Sequence, residues 1–170
     1  MDGLCGKDIH ELALALSRGE IDSLGLCDAF VDRIERIDRH GAELKAVAEL
    51  NPAYREDAKA SDAERSAGKV RGPLHGIPIL IKDNIDTAGP LRTTAGSLAL
   101  DGKPAPRDAE IVSRLRDAGA IILGKTNLSE WANFRSPRST SGWSARSGQT
   151  RNPHVLDRSP GGSSSGSAAA

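Results

Sequence analysis

Several things are scarce in this 170-residue sequence, and each scarcity closes off a class of function. Cysteine occurs at Cys5 and Cys27 only, far apart and without C-x-x-C or Cys/His ligand spacing. That leaves no zinc site to read, and the pair fits ordinary thiols of a reducing compartment. A charge excess is missing too, since 23 Lys and Arg balance 23 Asp and Glu. A chain that grips nucleic acid or an anionic membrane usually carries a basic surplus, so neither is expected as a partner, and a small neutral or mixed-charge ligand fits better. No apolar run approaches the roughly 20 residues that span a bilayer. Met1 opens directly onto a polar stretch, without the basic and apolar regions of a secretory leader, so the expected location is the cytoplasm. No internal repeat is present. What remains suffices for one domain with a core of moderate size.

Helical periodicity comes first. Ile9, Leu12, Ala13 and Leu16 recur at helical spacing before Gly19, and Leu26, Phe30, Ile34 and Ile37 repeat the pattern behind Ser23, a candidate N-cap. Residues 46–50 read as a short strand. Pro52 then sits where a first helical turn tolerates it, opening an Ala-rich, charged helix that ends near Gly68 and is expected to be mostly exposed. Gly72, Pro73, Gly76 and Pro78 bracket 77–82, an uninterrupted apolar strand of the kind buried on both faces. A Thr/Gly/Pro-rich loop follows, through Pro106. Residues 109–118 predict a helix with Ile111, Val112 and Leu115 inward, and 120–123 a second apolar strand ending at Gly124. Strand, helix and strand in that order predict a parallel βαβ unit with a right-handed crossover. A short element is expected at 129–134, with Trp131 and Phe134 on a packed face. From 135 to 160 aliphatic residues nearly vanish, and connections of such length are usually functional or disordered.

Two stretches carry chemistry. Lys82 closes the apolar run and is followed by Asp83 and Asn84, which places it at the C-terminal end of its strand, the edge where open α/β sheets bind ligands. Two readings are open: the amine snorkels to solvent, or it is buried, loses part of its charge and can take up a proton. The tract "SPGGSSSGSAAA" at 159–170 reads either as a flexible linker or as a glycine turn feeding a helix start, whose backbone N–H groups suit an anion or oxyanion. It is not a nucleotide P-loop, because the lysine of G-x-x-x-x-G-K-[ST] is missing. A domain usually closes on an element that packs, so the expectation is the N-terminal part of a longer protein. His10 and His75 are expected to be surface or turn residues. Arginines 135, 138, 146 and 151 are candidates to line a mouth that receives a peptide carboxylate.

The stretches "GPLHGIPILIKDNIDTAG", "TTAGSLAL", "DAEIVSRLRDAGAIILGKTNLSEWANF" and "TRNPHVLDRSPGGSSSGSAAA" together resemble the amidase signature family, in the family's order from about Gly72 onward. The two N-terminal helices resemble its usual opening, and "NLSEWANFRSPRSTSGWSARSGQTRNP" is most similar to peptide amidase-like members. The resemblance implies an α/β fold with a mixed, largely parallel sheet flanked by helices. It implies one amidase domain, of which residues 1–40 supply N-terminal helices and 72–170 the start of the catalytic core. It further implies a Ser–cis-Ser–Lys triad, with Lys82 as the base and Ser163, the first serine after Gly161 and Gly162, as the bridging cis-serine. The tract departs from the commoner GGSSGGS form in having Ser165 where a glycine often sits. The family's nucleophile and oxyanion hole belong to a G-S-D-x-G-G-S motif that does not occur in these residues.

Such a triad makes physical sense, because a neutral lysine amine can draw a proton from a nucleophilic hydroxyl through an intervening one. The expected activity of the intact protein is hydrolysis of a small-molecule or peptide carboxamide, with no cofactor and no metal implied, and these 170 residues alone are expected to be inactive. Two rivals stand beside it: the glutaminase component of a tRNA-dependent amidotransferase, which releases ammonia from glutamine for a partner, and a non-catalytic remnant or binding module.

Overall fold

A computed structural model describes residues 3–134, 136–138 and 140–170. Two helices open the chain, α1 (Ile9–Ser17) and α2 (Ser23–Arg33). Asp8 and Glu11 form a capping box on α1, each satisfying a backbone N–H of the other. The cap of α2 is Asp22, not Ser23: its carboxylate accepts the Gly25 N–H at 2.7 Å. Ser23 is instead buried, with its own N–H on Asp62. A π-helical turn, Ile34–Arg39, continues α2.

Strand β1 (Val47–Leu50) leads into α3 (Tyr54–Ser66), which begins two residues beyond Pro52 because Asn51 turns the chain by accepting the Ala53 N–H. As expected, α3 buries one narrow face, Tyr54, Ala58 and Ser61. Strand β2 (Pro78–Lys82), helix α4 (Glu110–Asp117) and strand β3 (Ile121–Thr126) form the predicted βαβ unit, β2 and β3 being parallel neighbours. The sheet order is β1-β3-β2, with β1 antiparallel to β3, so the sheet is mixed.

Two expectations are corrected here. The strand buried on both faces is β3, all six of whose residues are buried, whereas β2 lies at the sheet edge and buries only Ile81. And β3 does not stop at Gly124. A side chain there would put Cβ 2.2 Å from the Glu49 carbonyl oxygen, so glycine is what lets β1 close on β3 and the strand run on through Lys125.

Alternation along β3 divides the core. Ile121 and Leu123 pack with Cys27, Ile34, Val47, Tyr54 and Ala58 under α2 and α3. Ile122 packs on the other side with Ile81, Leu91 and Val112 of α4. Each such aliphatic side chain removed from water contributes about 1.5–3 kcal/mol. Ile111 is 56% exposed, against expectation, because its neighbour Val112 takes the inward position of the short helix. Within 135–160 the structure holds a small hairpin, β4 (Trp143–Ser144) and β5 (Gly148–Gln149). The glycine turn indeed feeds a helix start, α5 (Ser165–Ala169). Among the described residues no helix is long and apolar enough to cross a membrane.

Candidate active site

Lys82 and Thr126 are partners across the parallel pair, so their side chains leave the same face of the sheet at its C-terminal end. On that face sits the serine tract. Lys82 Nζ donates to Ser163 Oγ and to Ser164 Oγ, each at 2.9 Å, across 81 and 82 residues of sequence. The amine is half-buried and makes no ion pair with a carboxylate among the described residues, so burial holds its pKa below the ordinary lysine value. The Gly162–Ser163 peptide bond is cis. Thus Lys82 and Ser163 are brought together, and the snorkelling alternative gives way to an amine hydrogen-bonded to two hydroxyls.

The tract is held from behind by the segment after β3. Ser129 N–H donates to the Ser163 carbonyl at 3.0 Å, and Ser129 Oγ accepts the Gly142 N–H at 2.9 Å. A methyl group on Gly162 would meet Ser129 Oγ at 2.6 Å and Ser165 Oγ at 2.8 Å, so the tract is seated without spare room. Ser165 Oγ donates to the Gly161 carbonyl and closes the turn. The extra serine of the tract is therefore structural, buried beneath the two that face Lys82. Ser164 stands between Gly162 and Gly166 at G-x-S-x-G spacing, but an irregular segment precedes it instead of a strand, so the nucleophile-elbow context is missing.

Asn127, the last letter of "GKTN", was given no role by the sequence, yet it joins four segments. Its side-chain amide donates to Lys45 O, Gly148 O and Thr150 Oγ1, and its Oδ1 accepts from Ser144 Oγ and the Leu128 N–H. Its backbone N–H donates to Ala46 O, and its carbonyl accepts the Gly166 N–H at the start of α5.

The opposite face carries a second lysine. Lys125 is fully buried, and its Nζ donates to Ile85 O (2.6 Å), Thr87 Oγ1 (2.9 Å) and Thr93 Oγ1 (3.1 Å). Burial pushes its pKa down to about 8, with Asp83 and Asp86 opposing that fall. Sequence reasoning passed it over, because its partners lie about 40 residues away.

Other expected site residues are placed differently. His75 is buried, with Nε2 3.0 Å from the Ser61 carbonyl, because Gly119 leaves room for its backbone to approach. Trp131 and Phe134 do not form a packed face. Trp131, Ala132 and Asn133 all have positive φ, which turns Trp131 partly and Phe134 almost wholly outward. Among the described residues, Arg138, Arg146 and Arg151 do not line a common mouth. Arg146 is buried among carboxylates, Arg151 donates to the Ala42 carbonyl, Arg138 is exposed and Arg135 lies outside the described residues.

This geometry can be set beside known proteins. The family model described as Amidase matches residues 26–170, a span that includes Lys82, Ser163 and everything that seats them. The chain belongs to the amidase family. Among solved amidases, the native peptide amidase from Stenotrophomonas maltophilia is 57% identical with a TM-score of 0.93, over 96% of this chain and 33% of that one. An amidase family protein from Bacillus anthracis superposes with a TM-score of 0.92 at 37% identity, over 97% of this chain and 33% of its own. A glutamyl-tRNA(Gln) amidotransferase subunit from Moorella thermoacetica is 44% identical over 95% of this chain and 31% of its own length. The chain thus spans between a quarter and just over a third of these amidase-family relatives.

Proposed function

We propose that these residues are the N-terminal part of one amidase domain, residues 1–40 supplying its opening helices and 72–170 the start of its catalytic core, and that the intact protein hydrolyses the C–N bond of a carboxamide. The observation that carries this reading is the 2.9 Å hydrogen bond from Lys82 to Ser163 at the C-terminal edge of a parallel strand pair. Lys82 in its neutral form takes the Ser163 hydroxyl proton as Ser163 takes that of a nucleophilic serine supplied by a further segment of the protein. The new alkoxide adds to the carboxamide carbon. Collapse of the adduct breaks the C–N bond, and the proton returns through Ser163 to the leaving nitrogen, giving ammonia or an amine and an acyl-serine. Water, deprotonated along the same path, releases the carboxylate and restores the enzyme.

The high identity to a peptide amidase favours a peptide amide as substrate. A second reading, glutamine hydrolysis within a tRNA-dependent amidotransferase, draws support from the 44% identity to such subunits. Cys5 and Cys27 are both thiols, which suits a cytoplasmic setting.

Ammonia release by the full-length protein separates the readings. Turnover of a C-terminal peptide amide without partner subunits supports the first. Glutaminase activity that appears only with partner subunits supports the second. Loss of turnover in both Lys82→Ala and Ser163→Ala is expected under either, and full activity in these variants overturns both.

A further inference from the structure

Arg146 is a loop arginine that binds inward. Its side chain is 6% exposed, and it contacts three carboxylates: Glu49 of β1 through Nη2, Asp83 through Nη1 at 3.1 Å and Asp101 through Nε at 3.5 Å. Asp83 is the residue after Lys82 and is fully buried. It uses its other oxygen on the Thr94 hydroxyl and its N–H on the Thr126 carbonyl.

Two connections leave Arg146. One is to Asp83 at the end of β2, the strand that carries Lys82. The other runs along the hairpin: Ser144 bonds to Asn127, Gly142 N–H to Ser129, and Ser129 N–H to the carbonyl of Ser163. Arg146 is thereby the cation at which the base-bearing strand and the serine-bearing turn are tied together.

Its charge has a second effect. The charged groups around it are Glu49 from β1, Asp83 after β2, Asp101 from the following loop, Arg92, which shares Glu49 and Asp101 with it, and Lys125 from β3. Arg146 pairs with the Asp83 carboxylate, whose charge otherwise faces Lys125 across the sheet from the Lys82 amine. Resting on the amidase reading above, we propose that Arg146 is a positioning residue for amide hydrolysis. It fixes the Lys82 strand end against the Ser163 turn and balances the Asp83 carboxylate buried directly behind that strand end.

Withdrawing Arg146 leaves Asp83 buried without its cation, and the added negative potential favours the protonated, inactive form of Lys82. The acid limb of the rate profile then moves to higher pH. The experiment uses the full-length enzyme, a peptide amide substrate and three variants: Arg146→Gln, Arg146→Lys, and Arg146→Gln combined with Asp83→Asn. Arg146→Gln is expected to lower kcat by about 30-fold with KM within about twofold, and to raise the acid-limb pKa by about half a unit to one unit. Arg146→Lys returns the limb but only part of kcat, since an ammonium cannot reproduce the guanidinium fork. The double variant, again balanced in charge, returns the limb while kcat stays low, and it decides the matter if Arg146→Gln does not fold.

A limb that stays in place in folded Arg146→Gln overturns the proposal, as does a rise in KM with kcat unchanged, which would make Arg146 a substrate contact. In the double variant, an unchanged kcat overturns it too. Activity that survives Lys82→Ala overturns the amidase reading and this inference with it. Activity that needs Lys82 but whose acid limb ignores Arg146 overturns this inference alone.

Discussion

Lys82 and Lys125 end neighbouring parallel strands one register step apart, on opposite faces of the same sheet. Both amines are held below the ordinary lysine pKa by burial, Lys125 to about 8. Yet their surroundings differ in kind. Lys125 is sealed from solvent and spends three N–H bonds on a carbonyl and two threonine hydroxyls. Those threonines in turn direct their hydroxyls at the Ile85 carbonyl, so no proton could travel outward through them. Lys82 is half-exposed and meets two serine hydroxyls that border open space. The lesson is that a depressed amine pKa marks burial, and becomes chemistry only when the bonded partners can pass a proton to something outside.

The sharpest test of that contrast is activity in the full-length protein. Lys82→Met is expected to lower amide hydrolysis by about 10³-fold or more, the scale of a lost general base, whereas Lys125→Met should stay within about tenfold of wild type. Equal losses in ammonia release would erase the distinction.

Sequence reasoning reached one lysine and not the other for a physical reason. Lys82 follows an unbroken apolar run and precedes a polar loop, a local pattern that marks a strand end. Lys125 follows Gly124, where the apolar run is interrupted, and only the approach of Glu49 and Leu50 shows why a glycine stands inside the strand. The layered elements, the parallel βαβ unit and the helix start after the glycine turn were legible from periodicity and turn residues. The meeting of Lys82 with Ser163 was not, because it spans 81 residues, and it was anticipated only through the family resemblance. Arg146 and His75 were misjudged in the same way. A charged or polar residue in a glycine-rich loop looks solvated until the distant Glu49, Asp83 or Ser61 that satisfies it comes into view. Trp131 and Phe134 sit at helical spacing, but the left-handed backbone at 131–133 is not helical.

The Lys82 face also depends on how α5 is seated. A methyl group at Gly166 would lie 2.3 Å from Ala46 O and 2.5 Å from Asn127 O, both backbone atoms that cannot swing aside. Gly166→Ala is expected to cost about 1–3 kcal/mol of stability by overpacking and to reduce turnover by displacing the serine tract, as read by denaturant unfolding and ammonia release. On the other face, Lys125→Met should destabilise by about 1–2 kcal/mol, since two threonine hydroxyls lose their donor, while Lys82→Met at its half-exposed site should stay within about 0.5 kcal/mol. A Lys82 variant less stable than its Lys125 counterpart would reverse the comparison.

The last expected effect is in pH. Because the folded pKa of Lys125 lies below the unfolded value, the unfolded chain binds more protons between them, and stability rises with pH through that window. The gain contributed by Lys125 is complete above about pH 10.4 and is lost as pH falls through about 8. Cys27, whose thiol pKa is pushed up to about 12 by burial, pulls the other way above about pH 9. The test is therefore the difference: the slope of unfolding free energy across that interval should be less positive in Lys125→Met than in wild type.

The joint at Asn127 sets an order of assembly. Ala46, Asn127 and Gly166 converge there from three parts of the chain, and Asn127 also holds the hairpin through Gly148 and Thr150. During synthesis the sheet can form once β3 has emerged, but the amide groups of Asn127 then face open space until the hairpin arrives, and its carbonyl waits longer for Gly166. Within these residues the serine turn therefore emerges after the strands it packs on, so Lys82 and Ser163 can pair only once all three segments that meet at Asn127 have been made.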